Sequence, residues 1–234
     1  VPEILEVESY RRLADRVVGS VVARGWSDAY SAKKLTSPTA WARAVKGLTL
    51  SATSRRGKLL LLETNGVRLG IRFGMTGVLL IDDEAGIDGL FYGPHLYKAE
   101  WVRGGLEFDD GRKLILHDPR RLGRFEIDPD LSELGPDALT LTRKQFDQMV
   151  AIKRGEGPPI KARLLDQSVV AGVGNLLGDE ILYRAGIDPR TPTGRLSSEQ
   201  KSRLYRAFCP KDGAAMLSAT IGGRTTYWCS KHQY

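Results

Sequence analysis

Three observations predict an α+β fold. The first half of the chain reads mostly as strand, a change near Asp128-Pro129 leads into short helices with glycine-rich joints, and the tail from Cys209 reads as a small hairpin. These set three segments: 1–128, 129–208 and 209–234. At 234 residues the chain can hold one large domain or two small ones with their own cores. Its 41% hydrophobic and 27% charged residues are ordinary for a soluble globular protein. No run approaches ~18 uninterrupted apolar residues, so no membrane span is expected. Acidic residues stand where a secretory signal carries a basic flank. Two cysteines make no disulfide framework, which points to a reducing cytoplasm. The net charge of +7 suits a polyanionic partner.

From Pro2 to about Val18, apolar positions at Leu5, Tyr10, Leu13 and Val17 suit an amphipathic helix ended by Gly19. Val17 to Ala23, Leu48 to Thr53 and Lys58 to Thr64 read as strands. Asn65-Gly66, between Leu59–Leu62 and Val67–Ile71, is a two-residue hairpin signal. Asp110-Gly111 gives a second, between Trp101–Phe108 and Arg112–Leu116. Beyond Asp128, helical spacing covers Arg143 to Ile152, Pro159 to Leu165, Asn175 to Ala185 and Ser197 to Phe208. In the tail, Gly222-Gly223 lies between two strand-like runs.

The chemistry begins at the first residues, Val1-Pro2-Glu3-Ile4-Leu5-Glu6-Val7-Glu8. A free N-terminal proline is a secondary amine, able to attack an electrophilic carbon and form an iminium ion. An α-amino group titrates near ~8, so much of it is neutral around neutral pH. Glu3 and Glu6 are suited to move protons beside it. The plainer alternative is a proline that starts a helix whose first turn favours acids. Val1 would acylate the proline nitrogen. The expectation is a start codon read literally, whose methionine the cell inserts and trims. Arg55-Arg56-Gly57-Lys58 puts cations at the mouth of a strand, for phosphate or simply for solvent. In Arg72-Phe73-Gly74-Met75-Thr76-Gly77, Met75 is either a wedge between unstacked bases or core. His117-Asp118-Pro119-Arg120-Arg121-Leu122-Gly123-Arg124 could grip a nucleic-acid backbone and fill a stack. Asp166 to Glu180 holds a glycine-rich turn that opens into a helix at Asn175, after Lys161 and Arg163. A helix start suits a phosphate, and Asn175 could cap the helix or donate to that phosphate.

Taken together, Pro2-Glu3 with Glu6-Val7-Glu8, Arg55 to Lys58, Gly74 to Gly77, Asp118 to Arg121, and Asp166-Gln167 through Asn175 with Asp179-Glu180 resemble the formamidopyrimidine-DNA glycosylase/endonuclease VIII family. The motifs fall in family order and cover nearly the whole chain. The resemblance implies an N-terminal catalytic β-sandwich with flanking helices, a helix–two-turn–helix DNA-binding domain, and a C-terminal zinc-finger hairpin. It implies a base-excision-repair DNA glycosylase with lyase activity, a monomer on duplex DNA containing a damaged base or abasic site, cytoplasmic and nucleoid-associated. Pro2 would attack the sugar carbon of a flipped nucleotide, Glu3 would protonate the ring oxygen or leaving group, and Lys58 would belong to the pocket. Asn175 and Arg224 would clamp phosphates; Met75, Arg120 and Leu122 would fill the gap. Arg121, Lys161 and His95 complete the expected DNA-binding set, His95 and His117 being read as structural or phosphate-facing. Extrusion is needed because the reacting carbon is inaccessible in a stacked duplex.

The chain departs from the family pattern at several places. Leu5 stands where formamidopyrimidine-type members usually have a second proline, and Leu122 where they have Phe. Phe208 runs straight into Cys209, where the family usually has a long segment including a loop over the flipped base. In the tail, Cys209-x2-Asp212, sixteen residues, then Cys229-x2-His232 reproduces the spacing of the family's four-cysteine finger. Thiolate, carboxylate and imidazole all bind zinc, so one structural Zn2+ is expected on Cys209, Asp212, Cys229 and His232. An unmetallated hairpin is the alternative. Two further readings stand beside the enzyme: a lesion-binding protein of the same fold with impaired catalysis, and an unrelated basic RNA-binding protein.

Overall fold

The computed structural model describes residues 2–31, 37–87, 97–152 and 155–208, together with the backbone of 217–221 and 224–228. The described residues up to Asp130 form one compact unit, and those from Leu131 to Ile221 belong to a second.

The first unit opens with helix α1 (Ile4–Ala14). Glu3 precedes it in extended conformation, and the Glu3 and Glu6 side chains cap each other's backbone N–H groups reciprocally. Ile4, Val7, Tyr10, Leu13 and Ala14 form its buried face, the three-to-four-residue spacing of a helix on a core. A single tight turn follows at Asp15–Val17, and Gly19 reverses the chain at φ +94. The expected strand from Val17 therefore begins later, as β1 (Val22–Ser27). Val17 is fully buried in the turn, so one apolar run serves two elements.

A helix absent from the sequence expectation, α2 (Pro38–Val45), follows. Its signal was present: the Ser37 hydroxyl accepts from the Ala40 N–H at 3.2 Å, and Pro38 occupies the first turn. It buries Trp41, stacked on Phe125 with centroids 4.7 Å apart. The remaining strands are β2 (Leu50–Arg56), β3 (Leu59–Thr64), β4 (Leu69–Arg72), β5 (Val78–Ile81), β6 (Glu84–Ala85), β7 (Val102–Phe108), β8 (Lys113–His117) and β9 (Arg124–Ile127). They form two antiparallel sheets, ordered β1-β7-β8-β5-β6 and β2-β3-β4-β9. Side chains of both sheets and α1, among them Tyr10, Leu62, Ile71, Leu79, Phe108 and Leu116, share one core.

The Asn65-Gly66 hairpin forms, but not as a two-residue turn, because the last paired residues are Leu62 and Leu69. The Thr64 hydroxyl donates to the Val67 carbonyl at 2.6 Å and accepts from the Gly66 N–H. The Asn65 side chain instead accepts from the Thr49 N–H at 2.9 Å. The Asp110-Gly111 hairpin joins β7 and β8, with Gly111 at φ +87. A hairpin that sequence reasoning read only as a strand mouth lies at Gly57-Lys58. Arg56 pairs with Leu59, and Gly57 at φ +56 supplies the first position of a two-residue turn.

The second unit contains α3 (Arg143–Val150), α4 (Ile160–Leu165), α5 (Asn175–Ala185) and α6 (Ser198–Ala207). The expected helices end within a residue or two of these bounds. Thr142 with Gln145, and Ser197 with Gln200, form capping boxes, while Gly186 ends α5 at φ +62. Phe146 packs against Tyr205 and Phe208, with centroids 5.2 and 6.2 Å apart. Strands β10 (Leu217–Ile221) and β11 (Arg224–Trp228) form a two-stranded sheet. Among the described residues no helix is long and apolar enough to cross a membrane.

Candidate active site

The start of α1 and the Gly57-Lys58 turn bring the predicted catalytic residues together. Pro2 and Glu3 are buried, Glu3 being only 3% exposed. The Glu6 carboxylate accepts from the Glu3 N–H at 2.9 Å. Burial pushes the Glu6 carboxyl above its ordinary range, against the hydrogen bonds it accepts from backbone N–H groups. Lys58 is half-buried. Burial pulls its ammonium below the ordinary lysine range, while the negative charges of Glu3 and Glu6 oppose that shift. A proline, two carboxyl groups and a lysine with an eased proton thus share one corner of the sandwich unit.

Arg55, read in the sequence as a cation for phosphate or solvent, instead has a largely buried side chain that fixes that corner through Glu8. The Arg55 side chain, 6% exposed, donates to Glu8 on α1 at 3.2 Å and to the Gly57 carbonyl at 3.0 Å. Helix and turn are therefore joined by one guanidinium, whose planar fork suits two acceptors at once. Arg11 and Arg12 also donate to Glu8.

A second cluster joins two loops of the same unit. The loop Phe73–Gly77 closes on itself, Gly77 N–H donating to the Phe73 carbonyl at 2.8 Å. Gly74 has φ +57, and a Cβ there would lie 2.6 Å from Leu122, so only glycine permits this approach. Met75 is 40% exposed and Leu122 45%, so neither is core, and Met75 takes the exposed alternative. Asp118 is fully buried and organises both loops. Its carboxylate accepts from the backbone N–H groups of Leu122 and Gly123 at 2.7 Å and of Arg120 at 3.1 Å, and from the Thr76 hydroxyl. The Asp118 carbonyl accepts from Arg103 at 2.6 Å. Tyr10 ties this cluster to α1: its ring lies 4.6 Å from Phe73 and its hydroxyl donates to the Gly77 carbonyl at 3.4 Å. His117 is buried between Tyr97 and Trp101, and burial lowers its pKa; it is structural.

In the second unit the glycine-rich turn is shaped by Gln167. Its amide donates to the carbonyls of Leu165 and Val173 and accepts from the Gly172 N–H, each at 2.9 Å. Gly174 precedes α5 and provides no side-chain cap. Asn175 is the first helical residue rather than the cap, exposed, donating to Asp179 at 3.4 Å. Lys161 pairs with Asp179 at 2.7 Å, so part of its charge is met within the protein. Arg224 opens β11. His95, Cys209, Asp212, Cys229, His232 and the Gly222-Gly223 tip lie outside the described residues. Among the described residues no group of three or more His, Cys, Asp or Glu could hold a metal ion.

An antiparallel sandwich led by a Pro-Glu helix start, followed by a helical unit whose glycine-rich turn opens a helix, defines the helix–two-turn–helix class of proteins. Residues 1–125 match the formamidopyrimidine-DNA glycosylase N-terminal domain, and 134–221 the formamidopyrimidine-DNA glycosylase H2TH domain. A formamidopyrimidine-DNA glycosylase of Chloroflexus aggregans is 36% identical over 223 residues, covering 89% of this chain and 74% of the relative. That of Stenotrophomonas maltophilia is 30% identical over 287 residues, covering all of both chains. The chain belongs to the formamidopyrimidine-DNA glycosylase/endonuclease VIII family. Among solved structures, a Lactococcus lactis Fpg (MutM) complex with FAPY-dG-containing DNA shares the fold at a TM-score of 0.71. It is 24% identical, with 97% of this chain and 98% of that one covered. A MutM complex with DNA containing carbocyclic 8-oxo-G shares it at 0.72, with 23% identity and the same coverage. The alignment to the Stenotrophomonas relative spans 287 positions against the 234 residues here, so that relative carries residues without a counterpart in this chain.

Proposed function

We propose that this protein is a base-excision-repair DNA glycosylase with an associated abasic-site lyase activity, using the Pro2 nitrogen as nucleophile. The observation that carries the reading is the joining of buried Pro2-Glu3 with Glu6 and the Lys58 turn, in a chain of this family. The Pro2 amine attacks C1′ of the extruded nucleotide, the bond from C1′ to the base breaks, and the base leaves with a proton. Glu3, adjacent in sequence and buried, delivers the proton to the sugar ring oxygen or to the leaving base. The Pro2 nitrogen gives up its proton, the C1′–O4′ bond breaks with protonation of O4′, and an iminium ion joins Pro2 to C1′; this electron sink lets a base remove a C2′ proton while the 3′ phosphate leaves. Lys58 adds positive charge beside this intermediate's phosphates. Met75, Arg120 and Leu122 occupy the gap that extrusion leaves, and Arg121, Lys161, Asn175 and Arg224 hold phosphates.

The same reading assigns one structural zinc ion to Cys209, Asp212, Cys229 and His232. The donor chemistry fits a closed four-ligand site, and the two pairs flank β10 and β11 in sequence. The partner is double-stranded DNA carrying a damaged base or an abasic site, bound by a monomer. Oxidised purines are the first lesions to try.

The test is a panel of lesion-containing duplexes with and without borohydride. Wild type should release base and give a covalent adduct. Pro2→Gly and Glu3→Gln should lose base release while still binding. Undiminished excision by the Glu3 variant would contradict its proton-transfer role. The nucleophile also requires a Pro2 nitrogen free of Val1, which intact-mass measurement of the natural protein checks. Binding to lesion duplex without an adduct would favour the catalytically impaired alternative.

A further inference from the structure

Tyr30 is a large aromatic residue that the core does not use: 52% of it is exposed. Arg121 lies over its ring, the guanidinium carbon 5.1 Å from the centroid. Arg121 itself is held at φ +55, a left-handed conformation that costs a non-glycine residue energy. It immediately precedes Leu122, which projects into solvent.

The segment carrying Tyr30 is not a loose loop. The Asp28 N–H donates to the Arg103 carbonyl at 2.7 Å, and the Asp28 carboxylate accepts from the Ser31 N–H at 2.7 Å and from Arg103 at 3.3 Å. The Ser31 carbonyl accepts from the Phe125 N–H at 3.1 Å. Arg103 in turn donates to the carbonyl of Asp118, which organises the loop presenting Leu122. The residues on either side of Tyr30 are thus hydrogen-bonded to Arg103 and Phe125, which flank the Arg120–Leu122 loop through Asp118 and in sequence, with half of the Tyr30 surface left open.

An exposed ring on a rigid support beside arginines has the composition of a base-stacking platform, where each stacked base contributes about 1–3 kcal/mol. Leu122 can enter a gap between bases, but it has no π-face to offer the base left unpaired there. We propose that Tyr30, backed by Arg121, stacks on the unpaired nucleobase opposite the extruded nucleotide, supplying the aromatic surface that Leu122 lacks. This rests on the proposed glycosylase reading and adds a residue and a ligand to it.

The experiment measures affinity at one salt concentration for two duplexes of equal length and sequence. One carries a tetrahydrofuran abasic analogue opposite adenine, the other is undamaged. Tyr30→Ala should weaken binding to the abasic duplex about 5–150-fold, the range that stacking of one base implies. Binding to undamaged duplex should change less than about twofold, because the phosphate contacts remain. Tyr30→Phe keeps the ring and should stay close to wild type. An Ala variant equal to wild type on the abasic duplex overturns the inference, as does an equal loss on both duplexes. A Phe variant as weak as the Ala variant would assign the effect to the hydroxyl and also overturn it. In each of these three cases wild type still forms a borohydride adduct with the lesion-containing duplexes of the panel above, so the glycosylase reading survives. A wild type that neither prefers the abasic duplex nor forms the adduct removes that reading and this inference with it.

Discussion

Replacing Asp118 tests whether the two exposed loops act as one prearranged unit. In Asp118→Asn the better orientation keeps the amide oxygen towards Leu122 and Gly123, where two N–H groups converge at 2.7 Å. The amide nitrogen then faces Thr76, whose hydroxyl can rotate to accept, and the Arg120 N–H, which loses its acceptor. One charge-assisted bond is lost and the others become neutral, a cost of about 2–4 kcal/mol at about 1.5–3 kcal/mol per bond to a charged group. Asp118→Ala removes all four acceptor contacts and leaves the N–H of buried Gly123 without its acceptor. About 4–5 kcal/mol is expected, the upper range for one substitution. Urea unfolding of the full chain reads both, as a shift in midpoint with unchanged slope. The Asn variant should also lose affinity for abasic duplex in larger proportion than for undamaged duplex, because Met75 and Leu122 are no longer held together. An Asn variant within about 0.5 kcal/mol of wild type would refute the energetic argument. Lost stability with unchanged discrimination would refute the link from Asp118 to the loops' presentation.

Arg55→Ala should cost only about 1.5–3 kcal/mol, because Glu8 keeps Arg11 and Arg12 as partners. Single-turnover excision should nonetheless fall up to about 100-fold, the usual penalty for roughly 1 Å of misplacement, as the Lys58 turn relaxes. Duplex affinity should hardly change, and Arg55→Lys should not rescue the rate, since one ammonium on a flexible stem does not reproduce the guanidinium's two-acceptor fork. Glu6→Gln keeps the capping bond to the Glu3 N–H but cannot ionise. The folded pKa of Glu6 is raised, so between its unfolded value and that raised value the native state holds the extra proton and wild-type stability falls as pH rises. The Gln variant lacks this loss. Its stability relative to wild type should therefore grow as pH rises from about 4.5 through that window and then level off, checked by unfolding at a series of pH values. Cys229→Ser should lower bound zinc well below one ion per chain by elemental analysis, and an unchanged zinc content would remove the proposed ligand set.

What the sequence made legible were features marked by near neighbours. The bounds of α5 were readable because Gly174 and Gly186 punctuate an apolar repeat. The start of α1 was readable to within two residues because Pro2 and the acids Glu3 and Glu6 precede and fill a first turn ahead of an apolar repeat. The missed features depend on residues far apart in the chain. Arg55 meets Glu8 across 47 positions, and Asp118 meets Thr76 across 42, so no local pattern announces either role. The late start of β1 was hidden because Val17 and Val22 are both buried, in different elements. Met75 could be core or wedge until its exposure was known, and Tyr30 carries its meaning only beside Arg121.

The central claim is chemical: a secondary amine at Pro2 bonds to the sugar carbon of a damaged nucleotide. The most direct measurement is peptide mapping by mass spectrometry of the borohydride-reduced complex formed on abasic-site duplex. The sugar remnant should lie on the peptide that begins at Pro2, and on its ring nitrogen. A remnant on Lys58 or any other lysine, or a mature chain whose Pro2 nitrogen remains in a peptide bond, would contradict the account.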